Sequence, residues 1–125
     1  MRFLIIFSHP SQKSFSAALF RTVISSLKKK GHEVKTIDLY KEEFNPVLSL
    51  SEWNSYLENT NKNVKMLKTD IDLLLWAEGL IFIFPTWMYG PPAILKGWLE
   101  RVWLPSIAFD IASEKKNIPV GKLKN

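Results

Sequence analysis

The segment 80–103 restricts the possible fold more than any other part of the chain. Leu80-Ile81-Phe82-Ile83-Phe84 is a continuous apolar run, the pattern of a parallel strand covered on both faces. Pro85-Thr86-Trp87-Met88-Tyr89-Gly90 interrupts it with an aromatic loop. Pro91 and Pro92 then lead into a helix over 92–103, with Ile94, Leu95, Trp98 and Val102 at helical spacing and proline in its first turn. A strand that delivers flat side chains and free backbone amides to a loop at its carboxyl end suits a flat, polar-edged ring.

Upstream, strand and helix alternate in the same way. Phe3-Leu4-Ile5-Ile6-Phe7 is a second continuous apolar strand, followed by a polar turn over 8–16 in which Ser11, Ser14 and Ser16 are candidate helix N-caps. A helix follows to about Lys30. Its apolar face is assigned to Ala18, Leu19, Val23 and Leu27, with Gly31 as the stop. Residues 34–39 alternate less cleanly, as an outer strand would. Residues 41–63 read as a long polar excursion carrying Pro46 and the aromatics Phe44, Trp53 and Tyr56. Residues 66–78 read as a helix with Leu67, Ile71, Leu74 and Leu75 on one face, and Asp70, Asp72 and Glu78 on a solvated one. Residues 104–125, with Pro105, Pro119 and Gly121, show no periodic element. The order β-α-β-α-β-α predicts an α/β fold, a right-handed, doubly wound parallel sheet in a single domain over 1–125.

Composition removes several chemistries. The chain has no cysteine, so disulfides, thiolate metal sites and cysteine nucleophiles are excluded, and redox chemistry must belong to a bound cofactor. No G-x-S-x-G elbow, Walker loop or G-x-G-x-x-G turn occurs. Only His9 and His32 are available to a metal, they are not clustered with carboxylates, and His32 after Gly31 is expected to be exposed. The net charge of +5 is spread over scattered lysines. The main run, Lys28-Lys29-Lys30, ends a helix where cations suit the macrodipole, so anionic ligands are favoured and nucleic-acid binding is not expected. The opening apolar run is too short for a signal peptide, and no window reaches membrane-span length. A cytoplasmic protein that is not membrane-inserted is expected.

In doubly wound sheets, ligands sit beyond the carboxyl ends of the strands. Two loops lie there. The first leads into a helix whose unpaired N-terminal amides favour phosphate, with His9, Lys13, Ser14 and Ser16 beside them. Equally, those serines can simply cap the helix while His9 packs locally. The second offers Trp87, Met88 and Tyr89, which alone also fit an aromatic cluster tucked into the core. Together, the loops suit the phosphate and the ring of one ligand, a flavin.

Three blocks carry a resemblance to a known family. They are Ser8-His9-Pro10 with Ser14-Phe15-Ser16-Ala17-Ala18-Leu19; Gly31-His32-Glu33-Val34 with Asp38-Leu39-Tyr40 and Phe44-Asn45-Pro46; and Phe84-Pro85 through Gly97-Trp98-Leu99-Glu100-Arg101-Val102-Trp103. With them the chain resembles the flavodoxin-like NAD(P)H dehydrogenase (quinone) family, which includes mammalian and bacterial quinone reductases and the ancillary flavoproteins of potassium-efflux systems.

The resemblance implies a flavin, FAD or FMN, with NAD(P)H as electron donor and a quinone-like acceptor. His9, Ser14, Phe15 and Ser16 match the phosphate motif, while Lys13 stands where relatives often carry a small hydroxyl residue. Pro85, Thr86, Trp87, Met88 and Tyr89 match the loop along the isoalloxazine ring, with Met88 in place of a common aromatic. Phe109 matches an aromatic that covers the partner's flavin pocket in dimeric relatives, and Ile111 replaces another. The resemblance implies a homodimer formed through the helix with Trp98 and Trp103 and the tail through Phe109. The family's sheet has five strands. This chain is expected to hold about three, in the order 2-1-3 with flanking helices, leaving 80–84 as an apolar edge. Two readings follow: an NAD(P)H:quinone oxidoreductase, or a non-catalytic regulatory partner or inactive remnant.

Overall fold

The computed structural model describes residues 1–111 and 119–121. Three parallel strands, β1 (Arg2–Phe7), β2 (Glu33–Asp38) and β3 (Gly79–Ile83), form one sheet in the order β2-β1-β3. In this register Ile5 lies between Thr36 of β2 and Ile81 of β3. The helices are α1 (Phe15–Lys29), α2 (Leu50–Glu58), α3 (Thr60–Met66), α4 (Lys68–Trp76) and α5 (Ala93–Val102). A short antiparallel pair, β4 (Phe109–Ile111) with β5 (Pro119–Gly121), completes the described chain.

The apolar run of β1 has no polar face because the strand feeds two cores. Leu4 and Ile6 join Ile37, Ile71, Leu74, Leu95, Trp98 and Val102 in one cluster. Ile5 and Phe7 join Ala17 and Ile83 in the other, covered by α1 through Phe20, Val23, Ile24 and Leu27. This is the doubly wound arrangement read from the sequence.

Helix α1 begins at Ser14, whose hydroxyl accepts from the Ala17 amide at 3.1 Å. It ends at Gly31 in the left-handed region (φ 78°), with Gly31 N–H donating to Lys28 and His32 N–H to Leu27. That paired reversal satisfies the last carbonyls without a Cβ penalty. Val23 and Leu27 face the core as expected, but at the start of the helix Ala17 and Phe20 face inward, while Ala18 and Leu19 are exposed.

Residues 41–63 are not a loop. They contain α2 and the start of α3, and α2 carries a capping box in which Ser49 and Glu52 exchange hydrogen bonds. Its buried positions are polar, Glu52 and Ser55, while Leu50, Trp53 and Leu57 are exposed. Arg101 of α5 reaches in to pair with Glu52 at 2.7 Å and also donates to the Asn45 carbonyl. The Phe44 ring lies 5.3 Å from the guanidinium, and Asn63 donates to the Glu52 carbonyl. Gly97 of α5 lets Pro46 approach so closely that a Cβ there would stand 2.2 Å from the Pro46 oxygen.

Several side chains depart from their expected places. Trp98 is wholly buried with its Nε1–H donating to Asp70 at 2.8 Å, so it is core and not a dimer surface. Asp70 and Glu78 are therefore not merely solvated, since Glu78 accepts from the Arg2 amide and pairs with its guanidinium. The helix expected over 66–78 is α4, with Leu67, Ile71 and Leu74 buried as expected and Leu75 exposed. His32 is half-buried, edge-on to Phe3. The proposed featureless tail contains β4 and β5. Among the described residues β3 lies at an edge of the three-stranded sheet.

Candidate functional site

Parallel pairing places the carboxyl ends of β1 and β3 side by side, and both candidate loops leave from there. The seam is closed by the Ser8 amide donating to the Ile83 carbonyl at 3.0 Å. His9 and Trp87, one from each loop, meet with ring centroids 5.8 Å apart and planes tilted by 59°. His9 Nδ1 accepts from the Ser11 amide at 2.9 Å, which leaves the proton on Nε2 when the ring is neutral.

The first loop presents donors. The Ala17 and Ala18 amides are taken by the Ser14 hydroxyl and carbonyl, whereas those of Phe15 and Ser16 meet no acceptor among the described residues. Ser14 accepts with its oxygen and still has its own proton to donate, so capping and anion binding are compatible. Lys13 is exposed, its amide bonded to the Ser11 hydroxyl. Ser8, beneath the loop, is fully buried, and its hydroxyl has no partner among the described residues.

The second loop presents flat surface and amides. Trp87 and Gly90 exchange both backbone hydrogen bonds, at 2.9 and 3.0 Å, closing a two-residue turn. Its central residues, Met88 and Tyr89, both take positive φ, 47° and 66°. Glycine and asparagine are usual in such a turn, and an L-residue there costs about 1–2 kcal/mol. The turn holds Met88 at 92% and Tyr89 at 101% exposure, and Phe15 across the seam is 84% exposed. The amides of Thr86, Met88 and Tyr89 have no acceptor among the described residues.

The donor set fits a flavin. Free amides at a helix N-terminus suit its phosphate, and exposed rings with loop amides suit its tricyclic ring and polar edge. Pro85 is half-buried where the loop leaves β3. Phe109 stands apart from this cluster: it is half-buried on β4, its carbonyl accepting from Ser106, and no ring contact among the described residues joins it to either loop.

Beside the first loop lies a feature that sequence reading missed, a cavity of about 800 Å³ bounded by that loop, α1 and the end of β2. Gln12 donates to Asp38 across it at 3.0 Å. The only sequence signal was Asp38-Leu39-Tyr40, a block of the resemblance to which no role was attached.

A family model described as flavodoxin-like fold matches residues 1–125. The chain is 36% identical over its whole length to an NAD(P)H oxidoreductase of Haemophilus influenzae, termed uncharacterized, and covers 60% of that protein. It is 35% identical to NAD(P)H dehydrogenase [quinone] 1 of Rattus norvegicus, with 90% of this chain matched to 46% of the rat protein. Among solved structures, NAD(P)H:quinone oxidoreductase from Methanothermobacter marburgensis superposes with a TM-score of 0.75 at 32% identity, over 83% of this chain and 53% of that one. The chain thus spans about half the length of these relatives. It belongs to the flavodoxin-like family whose model it matches along its length.

Proposed function

We propose that the two loops form one flavin site and that the chain, as one flavodoxin-like domain, works in a cytoplasmic NAD(P)H:quinone-type oxidoreductase. The observation that carries this reading is the His9–Trp87 contact, which brings the phosphate-suited and ring-suited loops together at one end of the sheet. The relatives' names support the donor and acceptor classes, NAD(P)H and a quinone-like molecule.

In this reading the amides of Phe15 and Ser16 and the hydroxyls of Ser14 and Ser16 hold the phosphate, with His9 donating from Nε2. Lys13 supplies charge from the rim. Pro85 shapes the strand exit, and Thr86, Trp87, Met88 and Tyr89 hold the ring by amide hydrogen bonds and side-chain contact. Methionine packs on a ring face where relatives commonly carry an aromatic. The flavin, when bound, supplies two-electron transfer between donor and acceptor, while the protein supplies position and electrostatics. Phe109 is assigned to the acceptor pocket through a second copy of the chain. A homodimer is supported by the exposed apolar residues Leu50, Trp53 and Leu57.

The test is NAD(P)H oxidation with a quinone acceptor, with and without added flavin. Flavin-dependent turnover is expected. Bound flavin without turnover would favour the regulatory-partner reading, and light scattering showing a clean 14.5 kDa monomer would remove the dimer.

A further inference from the structure

We infer that Met88 is a site of reversible oxidation, and that its sulfoxide weakens the hold of the second loop on the flavin. The inference rests on the two-loop flavin reading and adds a chemical control to it. The chain has no cysteine, so its only sulfur atoms are the thioethers of Met1, Met66 and Met88. A mild peroxide therefore meets no thiolate and acts on methionine. Of the three, Met88 is the most open, at 92% exposure against 64% for Met1 and 55% for Met66, and it alone belongs to a site loop.

The thioether sulfur attacks the oxygen–oxygen bond of hydrogen peroxide. One oxygen ends on sulfur as the sulfoxide, the other leaves as water, and sulfur gives up the two electrons that the peroxide gains. Two thiols reverse the step through a methionine sulfoxide reductase, giving thioether, water and a disulfide. The fold tolerates the change, because the side chain is exposed on a turn held by the backbone pair Trp87–Gly90. Flavin binding does not. A thioether is a soft apolar contact for a ring face, whereas the sulfoxide is polar and chiral. Its oxygen is also a strong acceptor, formed beside the Met88 and Tyr89 amides, which have none among the described residues. A side chain of this length can turn back onto its own loop. An amide so occupied is lost to the polar edge of the ring.

The experiment treats the flavin-free chain with dilute hydrogen peroxide and measures sulfoxide at each methionine by peptide mass spectrometry. Titration with FMN and with FAD follows, read by flavin fluorescence. Oxidation at Met88 is expected to lower flavin affinity about three- to tenfold, the loss of one sulfur–aromatic contact, with the melting temperature unchanged. A methionine sulfoxide reductase with dithiothreitol is expected to restore it. Met88→Leu keeps an apolar side chain without sulfur, so its affinity should be the same before and after peroxide. Met66→Leu should respond as the native chain does. Unchanged affinity in the native chain with Met88 fully oxidised overturns the inference and leaves the flavin site standing. An equal loss in peroxide-treated Met88→Leu overturns it as well, since the responsible group would then lie elsewhere. Binding of neither flavin by the unoxidised chain overturns the site and this extension together.

Discussion

The carboxyl end of the sheet and the bracket between α2 and α5 treat polar groups in opposite ways. Around Glu52 the molecule spends buried volume on charge and then satisfies it. Its carboxylate accepts from the Ser49 amide, the Ser49 hydroxyl and Arg101, although Asn63 Oδ1 nearby has no partner among the described residues. At the sheet end the reverse holds. Amides of Phe15, Ser16, Met88 and Tyr89 lack acceptors among the described residues, large rings are exposed, and two consecutive non-glycine residues take left-handed backbone. A region that breaks local rules while its neighbours obey them is where function is expected. The bracket, by contrast, fixes α5, and α5 with its two leading prolines anchors the far end of the ring-suited loop.

The largest expected effect lies in the bracket. Arg101→Ala leaves Glu52, only 3% exposed, as an uncompensated charge, so the expected loss of stability in denaturant unfolding is about 3–5 kcal/mol. A loss below 1 kcal/mol would show that the pair is not a structural bracket. Gly97→Ala forces a Cβ against the Pro46 backbone and is expected to cost about 1–3 kcal/mol, the usual penalty of overpacking.

Acid provides a milder probe of the same region. Burial pushes the Glu52 carboxyl up, but hydrogen bonds from Ser49 and Arg101 outweigh it and hold it below the usual carboxylate range. Because the folded-state value is depressed, its stabilisation is complete above the unfolded value of about 4.3. It is lost as pH falls through the lower folded value. Stability curves of the native chain should therefore fall in that acidic window, and the fall should shrink in Glu52→Gln. An unchanged acid limb would break the assignment.

The smallest expected effect is on the other side of the comparison and has the opposite sign. Tyr89→Gly removes a fully exposed side chain from a left-handed position and is expected to raise stability by about 1 kcal/mol, net of the added unfolded-state entropy. The same change should weaken flavin binding. Lower stability would mean that the turn is not strained.

The contrast also explains what the sequence made legible. β1, β3 and α5 were readable because their apolar residues follow the period of their element, and β1's unbroken run told of cover on both faces. α2 was hard to see by the same reading because its fully buried residues, Glu52 and Ser55, are polar, Tyr56 alone brings an apolar body to the core, and Leu50, Trp53 and Leu57 are exposed. A periodicity argument has little to find in a helix whose most buried contact is an ion pair supplied from 49 residues away. Trp98 was placed at its correct helical position and given the wrong surroundings, because its partner Asp70 looked solvated in isolation. At the site, the loops and the helix N-terminus were legible from residue type. The His9–Trp87 contact, the left-handed pair Met88–Tyr89 and the cavity at Asp38 depend on strand register and turn handedness, which sequence spacing does not encode.

The central claim, that two loops hold one flavin, is tested most directly by flavin titration of the native chain beside Trp87→Ala, with fluorescence as the readout and circular dichroism confirming the fold. The native chain is expected to bind. Trp87→Ala should bind about two- to tenfold more weakly from the lost aromatic contact alone, and more once its burial against the ring is included. Unchanged flavin affinity in a folded Trp87→Ala variant, or no binding by the native chain, would contradict the account.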